Sequence, residues 1–291
     1  MIRIGMIDLW LDNWHTNHYP NYIRLAAEKF GFDADVTDVW AEKDAPEGLT
    51  TAAWCDKYHT RPAKSQQELL SRVDAVMVMC ADDCLPHEAL AQEALASGIP
   101  LYCDKTFAPD LDSAIRMFER ANSFNTPIFT CSAHRYCMEL LDFVRRHDRK
   151  AAWCVTSGPG DLVNYSVHQF ELIECLMGTG AKTCRAGASE GLLQIVYDYG
   201  EGRFSSFTQG PGLEFIMKAS ADGVSSEVVE VVEYYMNFMF GLLRFFENKI
   251  PPVEQADTLE IMAMQQAARQ ARKAPGEVIA VPKYPILKPL G

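Results

Sequence analysis

The chain of 291 residues is 48% hydrophobic and 23% charged, which excludes disordered and fibrous classes and leaves room for two globular domains. Its formal net charge of −12 argues against nucleic acid and membrane surfaces as partners, because an acidic surface repels phosphate and anionic lipid. No apolar run is long enough to span a membrane, residues 1–8 lack the pattern of a signal peptide, and the nine cysteines include no Cys-x-x-Cys pair. These features predict a cytoplasmic protein with reduced thiols.

The first 130 residues alternate predicted strands and helices. Strands are expected at 2–7, 34–40, 75–80, 99–103 and 127–131, and helices at 22–30, 66–72, 86–97 and 110–121. A polar, aromatic loop at 8–20 follows the first strand, Gly31 ends the first helix, and Asp110 is the expected N-cap of the last. This alternation predicts an α/β fold with a doubly wound parallel sheet and right-handed crossovers.

The pattern changes after residue 130. Helices are predicted at 137–147, 166–177, 228–248 and 258–273, a strand at 151–156, and several β-type runs between 182 and 219, with a hairpin at 198–203. Neighbouring strands of this kind predict an open, mainly antiparallel sheet with one face packed on helices. The expected organisation is a doubly wound domain at 1–130 and a second α/β domain at 131–291.

Three segments, in order along the chain, resemble the glucose–fructose oxidoreductase/inositol dehydrogenase (Gfo/Idh/MocA) family. The sequences DAVMVMCADDCLPH at 74–87 and ALASGIPLYCDKTF at 94–107 resemble the family pattern DAVxVxTPxxxH followed by AGKHVxxEKPxA. The sequence GPGDLVNYSVHQFE at 158–171 resembles the family's GG…DxGxHxxD, and 248–269 resembles its closing helix. The resemblance spans most of the chain and identifies it as a divergent member of the family.

This resemblance implies an N-terminal Rossmann domain and a C-terminal α/β domain whose open sheet often forms the interface of a homodimer or homotetramer. It also implies hydride transfer between NAD or NADP and a hydroxyl of a small carbohydrate-type substrate, a sugar or polyol. Lys105 occupies the position of the lysine beside the substrate, and His168 that of the histidine that takes the hydroxyl proton. Imidazole accepts a proton near pH 7, and a neighbouring ammonium stabilises a developing alkoxide, so both residue types suit the reaction.

The dinucleotide fingerprint G-x-G-x-x-G is missing from the loop after the first strand. Asp8, Trp10 and Asn13 stand where glycines would let the backbone approach a diphosphate. A carboxylate repels a diphosphate, and an indole occupies its space. A dinucleotide is therefore expected to be held with less phosphate clamping than usual.

Other departures from the family lie at further positions expected to face the cofactor. Ala81 and Asp82 replace Thr-Pro after the strand at 75–80, and His87 closes that motif. Asp38, at the end of the second predicted strand, is a candidate acceptor for the adenosine ribose. The family's Glu-Lys-Pro becomes Asp-Lys-Thr at 104–106.

Five further residues are candidates for contacting the substrate, namely His15, His18, Arg135, Asn164 and Glu171. The two loop histidines follow the carboxyl edge of the first strand, where open α/β sheets bind ligands, and an arginine can hold a carboxylate or hydroxyl in a bidentate manner. Together with Asp8, His168 or Glu171, the loop histidines are also candidates for zinc or manganese, although a metal is not expected.

Three functions remain open at this point. The first is the family's hydride transfer. The second is a sugar lyase or isomerase on the same fold, possible with a Lys–His pair and without a free dinucleotide. The third is a sensor or partner subunit that kept the substrate cleft and lost the cofactor. Retention of both Lys105 and His168 argues against the third function, and loss of the glycines argues against the first.

Overall fold

The computed structural model describes residues 1–80, 83–147, 151–221, 224–228, 231 and 233–287. The chain forms two compact units. The first contains Met1–Cys131 and Met236–Gln255, and the second contains Ser132–Tyr235 and Ala256–Ile286. The segment 236–255 thus returns to the unit formed by the N-terminal half.

The first unit is built on a parallel sheet of six strands in the order β3-β2-β1-β4-β5-β6, the order of a Rossmann fold. The strands are β1 Ile2–Asp8, β2 Ala34–Ala41, β3 Arg61–Pro62, β4 Ala75–Val78, β5 Leu101–Cys103 and β6 Ile128–Phe129. All four residues of β4 are buried, as expected of a central parallel strand covered on both faces. The predicted doubly wound sheet is confirmed.

Helices cover this sheet and connect its strands. They are α1 Trp14–Phe30, α2 Thr51–Tyr58, α3 Gln66–Leu70, α4 His87–Leu90, α5 Gln92–Leu95 and α6 Leu111–Ser123, joined later in the chain by α9 Tyr234–Asn248. Aromatic rings explain why α9 belongs here: Phe238 contacts Tyr19 and Tyr102, and Phe245 contacts Phe129. The Asp110 side chain caps α6 by accepting from the Ser113 N–H, as predicted.

The second unit is built on a mixed sheet of seven strands in the order β12-β11-β7-β10-β9-β8-β13. The strands are β7 Trp153–Gly158, β8 Thr183–Ser189, β9 Leu192–Gly200, β10 Arg203–Gln209, β11 Ile216–Ala221, β12 Val224–Val228 and β13 Ile279–Ala280. Among the described pairings of this second sheet, only that of β7 with β10 is parallel. The predicted open, mainly antiparallel sheet and the hairpin at 198–203 are confirmed.

The helices of the second unit are α7 Met138–His147, α8 Ser166–Met177 and α10 Gln255–Lys273. One face of the sheet packs against α8, where the ring of Phe170 stacks on Phe207 and meets Tyr197 edge-on. The Tyr197 hydroxyl donates to the carbonyl of Met264 in α10. Within the described residues, no helix has both the length and the apolar character needed to cross a lipid bilayer.

Three predicted elements are wrong in extent. The first helix begins at Trp14, eight residues before the predicted start, because Asn13 caps it and Pro20 is accommodated inside it. The predicted helix at 86–97 breaks into α4 and α5. The predicted helix at 228–248 starts only at Tyr234, because Val228 ends β12. Four short elements, α2, β3, β12 and β13, were not predicted.

Candidate active site

The loop after β1 satisfies its own polar groups. Asn13 and Thr16 form a capping box at the start of α1, in which Asn13 Oδ1 accepts from the Thr16 N–H and Thr16 Oγ1 accepts from the Asn13 N–H. Asn13 Nδ2 donates to Asp8 Oδ2 at 2.8 Å, and Asp12 accepts from the Leu49 N–H. In a Rossmann domain this helix end receives a diphosphate; here the Thr16 N–H of its first turn is already bonded to the chain's own Asn13 side chain.

Asp8 lies at the carboxyl end of β1 and is almost fully buried. Burial raises its pKa to about 7, although hydrogen bonds from Asn13 and from nearby backbone N–H groups oppose the shift. A group of this kind offers a diphosphate no positive charge. The residues at this position do not fit the usual diphosphate cradle.

The carboxyl end of β5 holds a second buried carboxylate, Asp104, whose pKa is lowered where that of Asp8 is raised. Asp104 lies 2.6 Å from Nδ1 of His15, a residue in the first turn of α1, and accepts from the Tyr102 hydroxyl at 2.9 Å. Burial alone would raise its pKa, but His15 and Lys105 hold the pKa of Asp104 at about 2. His15, predicted as a substrate contact, therefore orders the turn that precedes Lys105.

Two predicted site residues beside this turn have different surroundings. Lys105 follows Asp104 directly, is half-buried, and its peptide bond to Thr106 is cis. His87 is fully buried, with Nδ1 3.1 Å from the carbonyl oxygen of Phe107 and Nε2 against that of Met79. Burial lowers the pKa of His87. His87, predicted to face the cofactor, instead connects the ends of β4 and β5.

Two more predicted residues of the first unit are engaged elsewhere. Asp38 is inside β2, three residues before its end, and is bound by Arg61 at 2.8 Å and approached by Arg72 at 3.5 Å. It does not close the strand as predicted, because β2 continues to Ala41. His18 lies on α1, with its ring stacked on Trp14 and Nδ1 2.6 Å from the Trp14 carbonyl oxygen. Ala81 and Asp82 lie outside the described residues.

Trp10 lies in the loop after β1 and is partly exposed. The Lys43 ammonium lies over its indole ring, 5.3 Å from the ring centre. Backbone bonds fix this arrangement, because the Lys43 N–H donates to the Leu9 carbonyl and the Glu42 N–H donates to the Asp8 carbonyl. The loops after β1 and β2 thus present an aromatic face and a cation side by side.

In the second unit, α8 carries His168 and Glu171 on one face, three residues apart. Nδ1 of His168 lies 2.6 Å from Oγ of Ser132. Glu171 Oε1 accepts from the Ser132 N–H at 3.0 Å. One helix face therefore holds both the side chain and the backbone of Ser132, and sequence reasoning did not single out this serine.

Arg135 and Glu171, both predicted to contact the substrate, bind each other. The Arg135 guanidinium is 2.7 Å from Glu171, 2.9 Å from Glu174 and 3.3 Å from Asp257. Burial disfavours the charged guanidinium, but Cys175 and these carboxylates raise its pKa above the ordinary value. Burial likewise raises the pKa of Glu171, against the effect of Arg135. This cluster is an internal ionic anchor.

His134 is a second histidine that the sequence did not single out. Its ring lies 4.6 Å from that of His168 and contacts Phe215 and Tyr234 edge-on. Burial lowers its pKa to about 4, so it is neutral at physiological pH. Asn164, a predicted substrate contact, lies in the turn before α8, where its N–H donates to Asp161. Among the described residues, no group of three or more His, Cys, Asp or Glu side chains is arranged to hold a metal ion.

Comparison with known proteins supports the sequence resemblance. A family model described as "Oxidoreductase family, NAD-binding Rossmann fold" (GFO_IDH_MocA) matches residues 19–130. The match begins after the altered loop at 8–13. No curated protein matches the chain.

Solved structures with the same fold cover nearly the whole chain. An NAD-binding oxidoreductase from Klebsiella pneumoniae has a TM-score of 0.79 at 12% identity, covering 97% of this chain and 99% of its own. A myo-inositol 2-dehydrogenase from Lactobacillus plantarum has a TM-score of 0.77 at 11% identity, with 97% and 99% covered. The WlbA dehydrogenase from Chromobacterium violaceum, solved with NADH and UDP-GlcNAcA, has a TM-score of 0.72 at 14% identity, with 97% of each chain covered.

These likenesses confirm the fold over both units, and the family match confirms the resemblance over the Rossmann segment. Residues 19–130 therefore match the Gfo/Idh/MocA oxidoreductase family, described by its NAD-binding Rossmann fold, and the chain as a whole shares the fold of the solved dehydrogenases, while its first loop lacks the glycines.

Proposed function

We propose that the protein is an NAD(P)-dependent oxidoreductase that transfers hydride between the nicotinamide and a hydroxyl of a sugar or polyol. The observation that carries this proposal is Lys105 at the carboxyl end of β5, inside the segment that matches the family's Rossmann model. The Asp104–His15 pair orders the turn that carries this lysine, as a preorganised catalytic group requires. Similar structures named as a myo-inositol dehydrogenase and as a dehydrogenase in complex with UDP-GlcNAcA support a carbohydrate-type substrate.

Lys105 and His168 are proposed as the acid–base groups of the reaction. When bound, a nicotinamide exchanges hydride with the carbon that bears the hydroxyl. The task of the protein is then to bind the oxygen and to move its proton. An ammonium and an imidazole are suited to these two tasks.

For the cofactor, we propose that Trp10 and Lys43 contact the dinucleotide in place of the missing glycine-rich turn. The capped end of α1 does not receive a diphosphate, so another group at this edge has to supply contact and charge. An indole face stacks on a planar ring, and a lysine ammonium attracts phosphate oxygens. Titration with NADH, followed by tryptophan fluorescence, tests this proposal: Trp10→Phe is expected to remove most of the quenching, and Lys43→Met to weaken binding about tenfold. Unchanged affinity in Lys43→Met would contradict the role of that lysine.

The test of the whole proposal is turnover of a panel of sugars and polyols with NAD and NADP. Lys105→Met and His168→Asn are each expected to reduce kcat/KM by about 10²- to 10⁴-fold, the usual contribution of an acid–base group. Lys64→Met and His59→Asn are matched controls, because both side chains are exposed and lie outside the candidate site. Turnover that survives in both site variants would refute the assignment.

The self-capped loop favours one alternative, a non-redox lyase or isomerase of sugars. Its signature would be a reaction that continues in protein stripped of nucleotide. In that case Lys105 would be the base that removes a proton beside a carbonyl. Loss of all activity on removal of nucleotide would exclude this alternative.

We further propose a cytoplasmic homo-oligomer. All nine cysteines are buried and the sequence has no Cys-x-x-Cys pair, which suits a reducing compartment. Apolar side chains are exposed on β7, β9 and β10 of the second sheet, namely Val155, Val196 and Phe204, and a face of this kind suits a second copy of the chain. Light scattering of the wild type and of Phe204→Asp tests the assembly, and a monomeric wild type would contradict it.

A further inference from the structure

The hydroxyl of Ser132 has two polar partners, both in the second unit. Its oxygen accepts a hydrogen bond from the His134 N–H at 3.1 Å and lies 2.6 Å from Nδ1 of His168. Ser132 is completely buried. Within the described part of the chain no other polar atom makes a hydrogen bond with this hydroxyl, so its proton must be accepted by one of these two partners.

The direction of the short hydrogen bond follows from this geometry. A serine hydroxyl has one proton and two lone pairs, and the His134 N–H uses one lone pair as a donor. Backbone N–H cannot accept, so the only partner for the Ser132 proton is Nδ1 of His168. We infer that Ser132 donates to Nδ1 of His168 and thereby holds the neutral ring with its proton on Nε2.

Ser132 is held in place for this role from two sides. It is the N-cap of the short 3-10 turn Ala133–Tyr136, which fixes the direction of its side chain. Its own N–H donates to Glu171, which Arg135 holds at 2.7 Å. Because Glu171 lies one turn after His168 on α8, the same helix positions the imidazole and the serine that fixes its tautomer.

The tautomer decides what His168 contributes, and this consequence rests on the proposed function. A neutral ring with its proton on Nε2 donates a hydrogen bond to a substrate oxygen but cannot take a proton with that nitrogen. His168 would therefore polarise the oxygen, as a neutral histidine does in other enzymes. In that case His168 would not be the proton acceptor expected from the resemblance.

The tautomer can be measured directly in the full chain. Protein labelled with 15N in histidine gives long-range 1H–15N correlations that separate a protonated ring nitrogen from an unprotonated one. His168→Asn identifies the signals of His168 among the seven histidines. We expect Nδ1 of neutral His168 to be unprotonated and Nε2 to be protonated. A proton on Nδ1 would overturn the inference.

Variants of Ser132 test whether the serine is the cause. Ser132→Ala is expected to lower the ratio of the two tautomers about fivefold, the effect of one ordinary hydrogen bond. Ser132→Thr keeps the hydroxyl and should keep the wild-type signals. Ser205→Ala, which removes another buried serine hydroxyl of the same unit, is the control. An unchanged ratio in Ser132→Ala would refute a role for Ser132.

Because this readout needs no turnover, it separates the two proposals. An inactive protein whose His168 carries its proton on Nε2 would fail the proposed function and leave the tautomer established. An active protein whose His168 carries its proton on Nδ1 would support the proposed function and overturn the inference about the tautomer. If Ser132→Ala does not fold, the wild type and Ser132→Thr still decide the matter.

Discussion

The loop after β1 has lost the residues of the family pattern, whereas the face of α8 that carries His168 keeps the pattern's histidine. In the loop, the glycines are gone and the freed positions are filled by side chains that bond to one another, with Asn13 as the centre. On α8, His168 stands at the position of the pattern's histidine and lies beside a buried partner, Ser132. The Rossmann fold is compatible with the first change because the Thr16 N–H in the first turn of α1 is satisfied by a side-chain cap instead of by a ligand. A fold and its ligand contacts therefore depend on different atoms of the same loop.

The α8 face should be the more sensitive region to mutation. Arg135→Met leaves three carboxylates close together without their cation, and the free energy of unfolding should fall by about 3–5 kcal/mol. Urea unfolding followed by fluorescence measures this. Arg244→Met removes a solvent-exposed arginine paired with Glu247 and should have little effect. Equal stability of the two variants would show that the buried cluster does not anchor the unit.

Asp8, at the start of the loop after β1, should make the free energy of unfolding depend on pH. Asp8 has a folded pKa of about 7, raised by burial from an unfolded value near 4, so the native state binds the proton more tightly. This group therefore favours the folded state fully below about pH 4, and its contribution is lost as the pH rises to about 7. The total change is about 4 kcal/mol at most.

Asp8→Asn should accordingly lose less stability than the wild type between pH 5 and pH 8. Asp74→Asn is the control, because the pKa of Asp74 is lowered to about 2 by Arg3, and its contribution is lost only as the pH falls towards that value. If the free energy of unfolding changed with pH in the same way for Asp8→Asn and the wild type, Asp8 would be ionised throughout this range.

The smallest expected effect concerns the cap itself. Asn13→Ala removes the acceptor for the Thr16 N–H and should cost about 1 kcal/mol. Thermal unfolding of this variant beside Asn164→Ala, whose side chain caps no helix, isolates the cap. If NADH stabilises Asn13→Ala more than the wild type, the cap competes with the diphosphate for the helix end. If both are stabilised equally, the cofactor does not use that end.

Much of the fold could be predicted from the sequence because it rests on local patterns. The buried run of β4, the Asp110 cap and the hairpin at 198–203 each lie within a few residues. The start of α1 was missed because Pro20 and the polar residues before it are typical of loops. Long-range partners could not be predicted, since Arg135 binds residues 36, 39 and 122 positions away. For the same reason Ser132, at the end of the Rossmann segment, gave no sign of its contact with His168.

The central claim is that this chain binds a dinucleotide although its first loop lacks the glycines. Calorimetric titration of the purified chain with NADH and with NADPH tests it most directly, after the protein has been checked for nucleotide carried through purification. The account predicts saturable binding of one of the two, with a Kd in the micromolar range, equivalent to about −8 kcal/mol. Absence of binding to both, with no nucleotide carried through purification, would contradict the claim and direct attention to the non-redox alternative.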